Sequence, residues 1–130
     1  MARLTKGGIA NLGTAFKMTT NGTLTTLVSS IWNNPNGLML GNDGNFYGTT
    51  THDSFSGEYG TIFRVTTNGV LTTLYSFNGT NGSIPFAPLT LGNDGNLYGT
   101  TLEGGSSDYG TIFRVTTNGV GRMELTHWFR

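Results

Sequence analysis

Residues 59–70 read YGTIFRVTTNGV, and residues 109–120 repeat the same twelve letters 50 positions later. A diverged copy lies upstream: GTAFKMTTNGTLTTL at 13–27 stands against GTIFRVTTNGVLTTL at 60–74, a spacing of 47. A second block recurs with it, LMLGNDGNFYGTT at 38–50 and LTLGNDGNLYGTT at 89–101. A period of roughly 40–50 residues belongs to propellers and solenoids, whose units cannot bury their apolar faces alone. Packing would preserve a pattern but not every exposed letter, so twelve-residue identity also speaks for a recent duplication or deliberate repetition.

One period carries four strand signals. A short apolar segment, Pro88 to Gly92, meets the turn Asn93-Asp94-Gly95. Leu97 to Thr101 follows, then a longer loop from Glu103 to Tyr109. In Thr111 to Thr117, Ile112 and Arg114 alternate with Phe113 and Val115, the period-2 signature of a strand. Asn118-Gly119 predicts a tight hairpin with positive φ at both positions. In the middle copy the fourth strand is complete, with Leu71, Thr73, Tyr75 and Phe77 expected on one face. Composition agrees: 21 glycines and abundant threonine and asparagine suit short strands and tight turns and disfavour helices. Four antiparallel strands per period make a propeller blade. The expected fold is therefore all-β, a series of four-stranded antiparallel meanders in repeats spanning about 4–37, 38–86 and 87–130 of a single domain.

The pattern LGNDGNLYGTT, then GG, then YGTIFRVTTNG, then LTTLYSFNGTNG resembles the GloVer-type tandem repeat of bacterial surface and secreted proteins. The resemblance runs from about Leu4 to Gly119. It implies a β-propeller-like architecture and an extracellular setting, and it supplies no catalytic residue. Two stretches depart from it: the short Ser30–Gly37 connection with Trp32, and the tail GRMELTHWFR after Gly119.

Leu4-Thr5-Lys6 falls where a second strand should end, so the first blade is expected to lack its inner strand and most of the next. Met123, Leu125, His127 and Phe129 are expected to take the places of Leu71, Thr73, Tyr75 and Phe77. The chain then holds two and a half to three blades, too few to close, since the smallest closed propellers have about four. Assembly with a second copy into a five- or six-bladed ring is the simplest closure. A trimer with eight or nine blades is the poorer choice, and a gene fragment or engineered piece is the competing explanation. The partner's terminal strand could finish the first blade.

Seven basic and seven acidic residues leave no net charge, which argues against nucleic acid or an anionic membrane as partner. Without cysteine there is no disulfide, thiolate chemistry or Cys-based zinc site. No cofactor or metal is expected. The long loops, Thr51 to Tyr59, Glu103 to Tyr109 and Phe77 to Phe86, share one propeller face, the candidate binding surface. Its candidate ligand residues are Trp32, Tyr59, Tyr109, Asp53, Glu58, Glu103 and Asp108. The acids Asp53/Glu58 and Glu103/Asp108 recur in register, but as solvated loop carboxylates they need no ligand. Asp43 and Asp94 read as turn residues, and Tyr47 and Tyr98 as packing between blades. Arg64 and Arg114, with Lys17 equivalent, read as hydrogen-bonding between blades. His52 and His127 form no zinc motif, and Trp128 reads as an edge residue. The expected function is a non-enzymatic, self-assembling structural or binding module, with a glycan as candidate ligand. The alternatives are a fragment of a propeller-type hydrolase or lyase and a purely architectural unit.

Overall fold

The computed structural model describes residues 2–6, 13–31, 35–51, 59–117 and 123–128. These form twelve strands: β1 (Ala2–Lys6), β2 (Gly13–Met18), β3 (Leu24–Ile31), β4 (Pro35–Leu40), β5 (Phe46–Thr50), β6 (Thr61–Val65), β7 (Leu71–Ser76), β8 (Ser83–Pro85), β9 (Thr90–Leu91), β10 (Leu97–Glu103), β11 (Thr111–Val115) and β12 (Met123–Trp128). Among the described residues there is no helix. The strands make three antiparallel sheets, ordered β1-β2-β3, β4-β5-β6-β7 and β12-β11-β10-β8, with β9 also on β10. The four-strand meander expected of one period is present in full in the second sheet.

The two hairpin turns of a period are built alike. In one, Gly41 N–H donates to Asn45 O at 2.9 Å and Gly44 N–H to Gly41 O at 3.1 Å. In the other, Thr66 N–H donates to Val70 O and Gly69 N–H to Thr66 O, both at 3.0 Å. Only Gly44 and Gly69 have positive φ there, so each is a three-residue loop, a type I turn ending in a left-handed glycine. This corrects the expectation of two positive-φ positions. Asn118-Gly119 lies outside the described residues, and the equivalent Asn68 keeps an ordinary φ. Instead Asn68 accepts a 2.7 Å hydrogen bond from the Thr66 hydroxyl, which itself accepts from Val70 N–H at 3.0 Å.

The sheets pack face to face, and two apolar layers lie between them. Ala15, Val28 and Ile31 of the first sheet meet Phe63 and Val65 of the second, with Leu38, Phe46 and Leu71 around them. Tyr47, Ile62 and Phe77 of the second meet Leu89, Leu97, Phe113 and Val115 of the third. The Phe77 and Phe113 rings touch edge to face with centroids 5.2 Å apart. Burying each such ring stabilises the fold by roughly 1.5–3 kcal/mol. Because the second sheet is covered on both sides, Thr61, Ile62, Phe63 and Val65 of β6 are all buried.

β7 carries a bulge that lets it serve both layers, and the matching bulge is present opposite Ala15/Phe16 and Ile112/Phe113 in the other two sheets. The register slips by one residue opposite Ile62/Phe63: Ile62 pairs with Tyr75, but Phe63 pairs with Thr73. Leu71 therefore packs in the layer against the first sheet, while Leu74, Tyr75 and Phe77 pack in the layer against the third. The expectation that Leu71, Thr73, Tyr75 and Phe77 share one face is corrected, since one extra residue in a strand exchanges its faces.

Two further features differ from expectation and one agrees with it. β1 pairs along its whole length with β2, from Ala2↔Lys17 to Lys6↔Gly13, so the second strand of the first sheet is nearly whole. The inner strand of the third sheet comes in two pieces: β8 pairs at Thr101 and Glu103, β9 at Leu97 and Tyr98. β8 thus lies inside the segment read as a loop. The reason is one extra residue: Pro35 and Met39 span four positions between the partners of Thr50 and Tyr47, whereas Pro85 and Thr90 span five between the matching partners Thr101 and Tyr98. The tail does form the expected outer strand. Met123, Leu125 and His127 pair with Val115, Phe113 and Ile112, just as Leu71, Thr73 and Tyr75 pair with Val65, Phe63 and Ile62.

Candidate functional site

The loop surface is stitched together by its own polar groups. Gly104 N–H donates to the Asp108 carboxylate at 2.8 Å. Asp108 has a φ of 60°, a left-handed conformation that Asp tolerates better than most residues. Gly105 N–H crosses to Gly79 O at 3.0 Å, joining this loop to the turn after β7. That turn is closed by two asparagines: Asn78 N–H donates to Asn81 Oδ1 at 3.0 Å and Asn81 N–H to Asn78 Oδ1 at 3.2 Å. The Asn81 amide nitrogen also donates to the Tyr75 hydroxyl. The expectation that these two loops share one face is met.

The candidate residues separate on this surface. Asp108 is engaged in holding its own loop. Glu103 is not a loop residue but the last residue of β10, paired with Ser83, with an exposed side chain. Tyr59 is 40% exposed, and its ring lies beside Gly79, where a Cβ would sit 3.1 Å from Cε1. Its carbonyl accepts from Ile84 N–H at 3.0 Å. The equivalent Tyr109 is 67% exposed. Trp32, Asp53 and Glu58, like His52, lie outside the described residues. Among those described, no three His, Cys, Asp or Glu side chains gather closely enough to hold a metal ion.

A polar cluster lies at the other hairpin and recurs in two sheets. Asp43 accepts from Asn45 N–H at 3.1 Å, from Asn45 Nδ2 at 3.0 Å and from the Tyr47 hydroxyl at 2.7 Å. Asp94 repeats this with Asn96 N–H at 3.0 Å, Asn96 Nδ2 at 3.1 Å and the Tyr98 hydroxyl at 2.6 Å. Each tyrosine ring lies against the glycine that opens the turn: a Cβ on Gly41 or Gly92 would fall 2.8 or 2.7 Å from a ring carbon. Arg64 and Arg114 stand beside the two hydroxyls. Burial pushes the Tyr47 phenol up, and the hydrogen bond to Asp43 adds to it, reaching about 12. For Tyr98 the bond to Asp94 is the main cause of the rise, with burial second. Burial alone would raise Asp43, but the bonds from Tyr47 and Asn45 outweigh it and its carboxyl lies below the ordinary 3.8. Asp94 is lowered chiefly by Tyr98. A phenol held protonated and a carboxylate held ionised make a fixed strut rather than an acid–base pair poised near neutrality. In the sequence, Asp43 reads as a turn residue and Tyr47 as packing, two separate roles. The signal that joins them is the repeated spacing D-G-N-x-Y.

Strand glycines have a second use in the same motif. A Cβ on Gly48 would lie 2.6 Å from Phe63 Cζ, and one on Gly99 2.4 Å from Phe113 Cζ. The Tyr-Gly dipeptide thus supplies an anchored ring and then a gap for the phenylalanine of the next strand. Buried threonines satisfy each other at the strand ends, Thr50 to Thr61 at 2.7 Å and Thr101 to Thr111 at 2.8 Å.

This arrangement, repeated sheets with motif-built turns, defines a tandem-repeat β protein. The sequence model of the Gloeobacter/Verrucomicrobia repeat matches residues 3–130, and the chain belongs to that family. No curated protein matches it.

Proposed function

We propose that the chain is a non-enzymatic β-propeller module whose activity is assembly: two copies, three sheets each, form one six-bladed ring. The observation that supports this most is the repetition of one inter-sheet contact within the chain. The Cβ position of Gly13 lies 2.4 Å from Pro35 Cγ of the next sheet, and that of Gly60 lies 2.6 Å from Pro85 Cδ of the sheet after it. A contact that recurs between successive sheets is what a radial array of blades requires. Three described carboxylates favour structure over catalysis, because Asp43, Asp94 and Asp108 are each bound into their own turns.

Light scattering on a sizing column tests the reading. One sharp species with the mass of two chains is expected; a folded single chain at high concentration would sink it. A second reading, glycan binding, draws on Tyr59 and Tyr109, exposed aromatic rings at equivalent places on the loop surface. A glycan array should then show binding that Tyr109→Ala weakens.

A further inference from the structure

We infer that the copies associate head to tail, with the outer face of the third sheet in one copy packed on the outer face of the first sheet in the next. The inference rests on the assembly reading above and specifies its surfaces. Each inter-sheet layer is made of two unlike faces. One face, on the second sheet where it meets the third, carries Tyr47, Thr49, Thr51 and Ile62, all buried. The opposing face, on the third sheet, carries Phe113 and Val115. It recurs as Phe63 and Val65 where the second sheet meets the first.

The register places a more exposed copy of one face at each end of the array. On the third sheet the equivalents of Tyr47, Thr49, Thr51 and Ile62 are Tyr98, Thr100, Leu102 and Ile112. All but Leu102 keep the residue type, and none is buried: Leu102 is 60% exposed where Thr51 is 8%. On the first sheet the equivalents of Phe63, Val65 and Leu71 are Phe16, Met18 and Leu24. Met18 is 41% and Leu24 60% exposed, where Val65 is fully buried. The turns agree. A Cβ on Gly69 would lie 2.5 Å from Leu27 O of the first sheet, whereas the equivalent Gly22 has nothing within 4 Å. The molecule therefore exposes both halves of the interface that it builds twice internally. A second copy is the partner whose surface matches each half, and the contact is heterologous because the halves differ.

The test uses two double variants, each altered only at exposed positions. Met18→Glu with Leu24→Glu spoils the first-sheet face, and Thr100→Glu with Leu102→Glu spoils the third-sheet face. Each alone is expected to run at half the wild-type mass. An equimolar mixture should regain a two-chain species, because one intact face of each kind remains. If only one double variant lowers the mass, or the mixture stays single, like faces pair and the inference falls while assembly stands. A wild type that is itself single overturns the assembly reading and this one with it. Because the chain has no cysteine, a second measurement reads the contact directly. Mixing Phe16→Cys and Ile112→Cys chains should give an oxidised two-chain band that neither variant gives alone. Bands from each variant alone, and none specific to the mixture, would overturn it.

Discussion

Ile62 and Ile112 occupy the same place in the same twelve residues, yet Ile62 is sealed between two sheets and Ile112 is half-exposed. The pairs Tyr47/Tyr98 and Thr49/Thr100 repeat the contrast. Around these residues the local structure matches: the same register between the two central strands, the same Gly-Asn-Asp-Gly-Asn turn and the same Asp–Tyr strut. The difference is the neighbour. In a repeat array, identity of sequence sets the shape of a unit, and its position in the series sets how much of that shape is buried.

Four measurements can break or sharpen this comparison. The largest effect is expected for Ile62→Ala, about 2–5 kcal/mol from lost burial and a residual cavity. Ile112→Ala, measured by urea unfolding at dilutions where the chain is single, should cost about 1 kcal/mol. Equal costs would show that Ile112 is covered even there.

Gly69→Ala and Gly22→Ala come next. Both place a side chain at positive φ, a penalty of roughly 1–2 kcal/mol. Only Gly69 also drives a Cβ into Leu27 O, so it should cost about 1–3 kcal/mol more. Chevron or equilibrium unfolding of the pair isolates the inter-sheet approach from the backbone strain.

Thr49→Val follows. Its buried hydroxyl accepts from Asn36 Nδ2 at 3.0 Å and donates to Ala87 O at 3.4 Å. Losing it should cost about 1–3 kcal/mol, since the Asn36 amide loses one of its two acceptors. Thr100→Val, at an exposed site, should stay within about 0.5 kcal/mol. A similar loss at both would break the comparison.

The smallest effects are in pH. Asp43 and Asp94 titrate below their ordinary 3.8 in the folded chain. The folded state then binds fewer protons than the unfolded one, so their stabilisation is full above that value and lost as pH falls through the folded value. Urea midpoints should be flat near neutrality and fall in acid, less so in Asp43→Asn. Tyr47 has the opposite sign. Raised from 10.0 to about 12, it stabilises fully below the lower value and loses that stabilisation as pH climbs toward the upper one. Tyr47→Phe should remove more of this alkaline loss than Tyr98→Phe, because Tyr47 is buried and Tyr98 is not.

Much of this is legible in the residues. The period, the Gly-Asn-Asp-Gly-Asn and Thr-Thr-Asn-Gly turns, and the alternation of Ile112/Arg114 with Phe113/Val115 specify strands and hairpins by local chemistry. Alternation places Met123 and Leu125 in register, while His127 meets Ile112 only through a bulge. The slip at Leu74 and the broken inner strand at Phe86–Leu89 are not legible. A one-residue bulge leaves no compositional mark, although one recurs at the matching place in all three sheets. The candidate site is less legible still. Asp108 reads as a free loop acid until the fold turns it onto Gly104 N–H, and Glu103 reads as loop until it pairs with Ser83.

The sequence by itself determined the unit: four strand signals, two glycine-ended turns, and an aspartate four residues before a tyrosine. These depend on contacts a few residues apart, which short spacings encode directly. Only the tertiary structure decided which copies are covered and which faces remain open. Burial is a property of neighbours, and identical residues carry no record of where in the series they stand.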